Sequence, residues 1–426
     1  MVRHFRFVSL AAAGMLAAGL SAQDRPFRAS VDVVTVDAVA TDRHGNPVLD
    51  LKAADFEIRE RGKVQAIDSF KLVVDDADDQ DPASLRDIVS EEDLRRQAAR
   101  DDVRVIGIFL DDYHVQRINS LAVRDKIAAF VKQISSRDLV AIIYPLTPIS
   151  GLKFSRNREE QARVIEKFTG RKYNYAPQNA AEESYWFCSP AQIEGIRDGV
   201  SDSALRGVAA YLGSLTERRA TMLFVSEGLH EQLPKRLAQR DQGCPRLLVS
   251  PSNGGSPLLW GTTLKGNTAI YTLDPRGLDS GDFDVRDSQE EAAAGRKRVA
   301  RTQEFLRNLA FQTGGRAIVN TNNVDGLLRQ ILKDTGAYYL MTYTSTEAFR
   351  DGLFHQIDVR VKRRGVELHA RQGYWARNGP TDVAEATAPA IPSPSFAVRN
   401  ALAEPCDFSQ RSWTRRAKWR KPRAWP

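Results

Sequence analysis

From Val103 to Lys333 the chain alternates solid apolar runs with stretches whose apolar positions recur at helical spacing. "VRVIGIFL" (103–110) leads into a helical pattern over 117–135, and "DLVAIIYPL" follows as a second run. A helix-like stretch at 157–168, a loop-rich insertion to about Pro190 and a helical segment through Leu215 come next, ahead of the run "ATMLFVSEG". After a long loop rich in Gly and Pro stand "TAIYTLDPRG", a charged helix at about 286–312, the short strand "RAIV" and a helix from Asn322 to Lys333. Strands that are apolar without alternation belong to a sheet covered on both faces. The pattern therefore predicts an α/β fold over 103–334, a mostly parallel sheet flanked by helices.

On either side the rhythm changes to that of β-strands. Residues 27–73 hold "ASVDVVTVDAVATD", a turn at "HGNP" and "DFEIRERGKVQAIDSFKLV"; residues 335–377 hold "AYYLMTYTS", "FHQIDVRVKRR" and "GVELHARQGYWA". The last two alternate across Arg363 to Gly365, which reads as a hairpin. Residues 74–102 are charge-dense and read as an exposed linker containing a helix. The economical architecture is one β-sandwich of N- and C-terminal strands with the α/β domain inserted between them. Beyond Arg377, residues 378–426 form a Pro/Ala-rich linker and a basic tail, too poor in apolar residues to fold alone.

Charge adds less than it first suggests. The formal +7 is concentrated in the tail, where seven Lys/Arg face one acid from Asp407 onward, and in Arg3 and Arg6; residues 23–406 carry a net −1. The folded part thus gives no sign of a nucleic-acid groove, while the tail, with Trp413, Trp419 and Trp425, has the composition to touch an anionic membrane surface. Residues 1–22 join two arginines, an apolar run from Val8 to Leu20 and the small pair Ser21–Ala22. That run is too short to cross roughly 30 Å of hydrocarbon, so it reads as a Sec signal peptide and places the mature chain in the periplasm or outside the cell. In such an oxidising compartment Cys188 and Cys244 can bridge two loops, leaving Cys406 in the tail; the spacing of the three cysteines fits no zinc site.

The segments "VDVVTVDAVATDRHGNPVLDLKAADFEIRERGKVQAIDSF", "IGIFLDDYH", "IYTLDPRGL", "LAFQTGGRAI" and "YYLMTYTS…IDVRVKRRGVELHARQGYWA" carry a resemblance. The α/β region resembles a von Willebrand factor A (VWA) domain, and the whole arrangement is similar to the VWFA-related family typified in acidobacteria. The resemblance implies a protein-binding or scaffold module rather than an enzyme. It also implies a metal-ion-dependent adhesion site at the carboxyl ends of the strands, where Mg²⁺ or another divalent cation would sit among oxygen ligands. The family's first element is Asp-x-Ser-x-Ser; here Asp111 is followed by Tyr113 and Val115 at the two Ser positions. The Thr position corresponds to Ser203, with Ser201 close by, and the third element to Glu227. A metal set of Asp111, Ser203 and Glu227 is therefore a reduced one. The competing reading makes Asp111 and Asp112 caps for the amides of the next helix.

The rim residues Asp112, Tyr113, His114, Ser226 and His230 are the expected ligand-facing set. Several enzymatic readings compete for the same positions. Ser226 follows a buried strand as a nucleophile would, but Phe224 stands where a nucleophile elbow needs Gly. His114 and His230 could share a ligand, and with Asp111 or Glu227 could serve a secreted hydrolase. Asp274 to Gly277 reads as a turn, with Arg276 as an anion contact in second place. "TGG" at 313–315 reads as a helix C-cap rather than a phosphate cradle. Tyr173, Tyr175, Tyr185 and Trp186 in the insertion are either interface anchors or packing residues.

Overall fold

A computed structural model describes residues 33–74, 87–229, 233–234, 237, 267–278, 288–347, 349 and 351–376. The N-terminal strands are β1 (Val33–Asp42), β2 (Phe56–Glu60), β3 (Lys63–Gln65) and β4 (Ser69–Val74). Helix α1 (Glu91–Ala98) starts on the cap Ser90, whose side chain accepts from the Asp93 amide. It buries Leu94 and Ala98 against the α/β core, so the end of the segment read as an exposed linker is part of that domain.

The strand and helix alternation then unfolds as β5 (Val105–Leu110), α2 (Arg117–Gln133), β6 (Leu139–Ile143), β7 (Phe154–Ser155) and α3 (Arg158–Ile165). A short α4 (Ala180–Glu183) lies in the insertion, and the long α5 (Pro190–Leu215) opens on a Ser189–Gln192 capping box with Pro at its first position. There follow β8 (Ala220–Val225), β9 (Thr268–Leu273), α6 (Gln289–Gln312), β10 (Ala317–Ile318) and α7 (Val324–Gly336). "TGG" closes α6: Gly314 takes a left-handed φ of 75°, and the Gly315 amide returns to the Ala310 carbonyl at 2.8 Å.

These strands form one six-stranded sheet in the order β10-β9-β8-β5-β6-β7, parallel except for β7. Side chains alternate along β5: Val105 and Phe109 pack with α1, α5 and α6, while Ile106, Ile108 and Leu110 pack with α2, α3 and α7. Gly107 lets α5 lie close, since a Cβ there would stand 2.8 Å from Leu212 Cδ1. The spatial order reverses between β5 and β8. That reversal is a topological switch point, and its carboxyl end is the usual ligand position in open α/β sheets.

The C-terminal strands β11 (Ala337–Thr344), β12 (Phe354–Val361), β13 (Val366–Ala370) and β14 (Gly373–Trp375) join the N-terminal ones in two antiparallel sheets, β13-β1-β11-β4 and β14-β12-β2-β3. Val36, Ile58, Tyr339, Met341 and Ile357 fill one core between them. The expected hairpin at Arg363–Gly365 is not one: β12 pairs with β2 and β14, whereas β13 pairs with β1. Ile357 and Ala370 both enter the shared core, so the turn carries the chain from one sheet to the facing one. No helix among the described residues is long and apolar enough to cross a membrane. The signal-type stretch and the basic tail lie outside the described residues.

Candidate functional site

The switch point is built around Asp111. One hydrogen bond past the end of β5, its amide still reaches the Val225 carbonyl of β8 at 3.0 Å, which fixes the side chain at the switch point. The carboxylate is fully buried. Its Oδ1 accepts from Ser201 Oγ at 3.0 Å and its Oδ2 from Ser226 Oγ at 2.8 Å, while His114 Nδ1 lies 3.0 and 2.9 Å from the two oxygens. The other ring nitrogen, Nε2, stands 3.1 Å from Asp198 Oδ1 of α5, an ion-pair distance outside hydrogen-bond alignment. Burial alone would push the imidazole down, but Asp111 and then Asp198 raise it well above the ordinary histidine range. His114 is held as an imidazolium between two carboxylates.

Glu227, also fully buried, is met in the same way. Its Oε1 accepts from the Gln116 amide and from Asn119 Nδ2, both at 2.7 Å, and its Oε2 from Lys172 Nζ at 2.9 Å. Gln116 is the N-cap of α2 and offers no side-chain cap of its own. The acid that serves this helix start is thus Glu227 from the β8 loop, not Asp111 or Asp112. Asp112 pairs instead with Arg171 Nε at 2.8 Å; burial is the largest influence on its carboxyl and raises it. Arg171 also forks onto Glu182 at 3.0 and 2.8 Å, and Tyr113 Oη donates to Glu182 Oε1 at 3.0 Å. Asp274 pairs with Arg276 Nε at 2.8 Å, and Arg276 Nη2 donates to the Glu227 carbonyl at 2.9 Å. Arg276 is a buried part of this network.

Two of these cations arrive on a strap from the insertion. The Arg171 and Lys172 amides bond to the Asp112 and Val115 carbonyls at 2.7 and 3.0 Å, and the Gly170 amide to Ser120 Oγ at 2.9 Å. A Cβ on Gly170 would stand 2.2 Å from the Val115 oxygen, so only glycine permits this approach. Tyr173, next along, takes a left-handed φ of 65°, an uncommon conformation for a residue with a side chain. The strap therefore closes over the strand ends and seats its charges against the acids beneath.

The expected residues are brought together only in part. Asp111, Tyr113, His114, Ser226 and Glu227 share one buried cluster, with Asp112 at its edge. Ser203 is exposed on α5, and Ser201 takes its place at Asp111. His230 lies outside the described residues, as does Cys244; Cys188 is disulfide-bonded. Tyr175 and Tyr185 pack with Cys188 and Ile193, whereas Trp186 and its neighbour Phe187 are 59% and 49% exposed.

A divalent cation does not fit this arrangement. It needs convergent oxygens free of other cations, but Asp111 already faces His114 and Glu227 already pairs with Lys172, whose ammonium would repel a metal ion. Among the described residues no group of three or more His, Cys, Asp or Glu side chains is placed to hold a metal. Nor do nucleophile and base pair here: Ser226 and His114 both donate to Asp111, and all three are buried. The reading from residues missed Arg171, Lys172 and Asp198 altogether. Of these only Asp198 carried a signal, since it adjoins the buried stripe of α5 at Arg197, Ser201, Leu205, Val208, Leu212 and Leu215. The chain matches no family model and no curated protein.

Proposed function

We propose that this chain is an extracytoplasmic, VWA-type protein-binding or scaffold module that works without a metal ion. One observation carries the reading: at the switch point where the family resemblance puts a cation, His114 and Lys172 supply the positive charge from within the chain. The order β10-β9-β8-β5-β6-β7 with Asp111 after β5 and Glu227 after β8 is consistent with that family. The disulfide at Cys188 supports an oxidising compartment. Because the strap covers the rim, the partner meets the insertion above it, where Trp186 and Phe187 offer adjacent exposed aromatic surface.

The test is capture of extracytoplasmic proteins on the immobilised mature chain with and without EDTA. Metal-free recognition expects a partner retained in EDTA and lost on Trp186→Ala, with the melting temperature of that variant unchanged. Retention that requires millimolar Mg²⁺, or a rise in melting temperature with Mg²⁺ that Asp111→Ala abolishes, would overturn the metal-free reading.

A further inference from the structure

At the opposite, amino-terminal end of the sheet, where β5 and β8 begin, the domain meets the sandwich. Arg104, Arg218, Arg219, Thr221, Thr335 and Tyr338 line a cavity of about 10 Å³ there, room for one water-sized occupant. Arg104 is answered by Asp138, which takes its Nε at 3.1 Å, and its Nη1 reaches Thr335 Oγ1 at 3.4 Å. Arg219 is fully enclosed, faces Asp37 of β1 at 2.8 Å through Nη1 and donates from Nη2 to the Gly314 carbonyl, yet its Nε finds no hydrogen-bond partner among the described residues. Arg218 reaches only the Tyr338 hydroxyl, at 3.2 Å, and the face of that ring; no carboxylate among the described residues answers its charge.

We propose that this cavity binds a single small monovalent anion of the halide class. A buried guanidinium N–H without an acceptor is costly, and a positive charge without a counter-charge in a partly desolvated cleft attracts an anion. The Thr221 hydroxyl, which makes no hydrogen bond to protein among the described residues, adds a third donor on the same wall. Polyatomic anions such as phosphate are excluded by size. Since Tyr338 belongs to β11 and Arg219 to the turn before β8, the anion ties the two parts of the molecule together.

Bromide is the probe. Crystals of the full chain grown in bromide are expected to show an anomalous peak in contact with Arg219 Nε and Thr221 Oγ1; water there with no peak would overturn the proposal. In solution, the melting temperature is expected to be about 3 °C higher in sodium bromide than in sodium gluconate of equal ionic strength. The difference should vanish in Thr221→Val and shrink in Arg218→Gln. A bromide response equal in wild type and both variants would be a general salt effect and would refute the site.

Discussion

At the carboxyl end of the six-stranded sheet Asp111, Asp112, Glu227 and Asp274 each find a cation of the same chain, whereas at the amino end Arg218 finds no acid among the described residues. Both ends are largely buried, so the contrast is one of sign and completeness rather than of exposure. The rim began with an excess of acids, and the strap and the β5–α2 loop deliver His114, Arg171 and Lys172 to neutralise them. The seam has Arg104, Arg218 and Arg219 of the α/β domain, of which Asp138 answers the first and Asp37 of the sandwich the last. The histidines differ accordingly: Asp111 and Asp198 raise His114 against its burial, whereas burial lowers His369, with Arg316 and Arg219 adding to it and Asp334 opposing. A closed end of this kind supports a rigid platform, and an open one invites an ion.

The largest effect should come from unmaking the compensation at the rim. Lys172→Met leaves Glu227 buried with hydrogen bonds but without its ammonium, and breaking such a pair costs about 3–5 kcal/mol. Urea unfolding measures it. The double variant Lys172→Met/Glu227→Gln should recover most of the loss, because the carboxamide needs no counter-charge and can still accept from Gln116 and Asn119. A single variant as stable as wild type would mean that the strap's charge is idle and that the two ends do not differ in the way described.

Next in size is the pH dependence of the two histidines. The folded pKa of His369 lies below the ordinary 6.5, so the stability it contributes is present above pH 6.5 and lost as pH falls through 6.5 toward about 4. The loss should be about 2 kcal/mol after allowing for partial exposure, and His369→Gln should remove it. His114 runs the other way: its raised pKa gives stability that is complete below 6.5 and is lost as pH rises through the folded value. Denaturation curves across pH, with imidazole resonances followed by NMR, check both. Two histidines titrating together near 6.5 would erase the electrostatic contrast.

Much of this fold was readable because parallel strands covered on both faces are apolar almost throughout, as in "VIGIFL" and "LVAII". The turn at Arg363–Gly365 was readable as a reversal, but turn chemistry does not say which sheet receives the next strand. The rim was readable at Asp111 and Glu227, since acids directly after buried strands stand out. Their partners were not. Lys172 lies 55 residues from Glu227 in sequence, and within "RKYNY" it looks like any solvated lysine; only the close approach at Gly170 turns it inward. Ser201 is the intermediate case, because the period of α5 contains it once the stripe is followed back from Leu205.

That case yields the smallest and most selective experiment. Ser201 and Ser203 sit two residues apart on one helix and therefore roughly 200° apart around it, so one faces Asp111 and the other faces solvent. Ser201→Ala removes one donor from a fully buried carboxylate that keeps Ser226 and His114; a loss of about 1–2 kcal/mol is expected in urea unfolding. Ser203→Ala should change stability by less than about 0.5 kcal/mol, as exposed substitutions do. The pair also separates the two accounts of the rim. If Asp111 belonged to a cation site completed by Ser203, that substitution would weaken a Mg²⁺-dependent rise in melting temperature and leave the metal-free protein untouched. If His114 is the resident cation, Ser201→Ala should lower stability equally with and without Mg²⁺, and Ser203→Ala should do nothing in either.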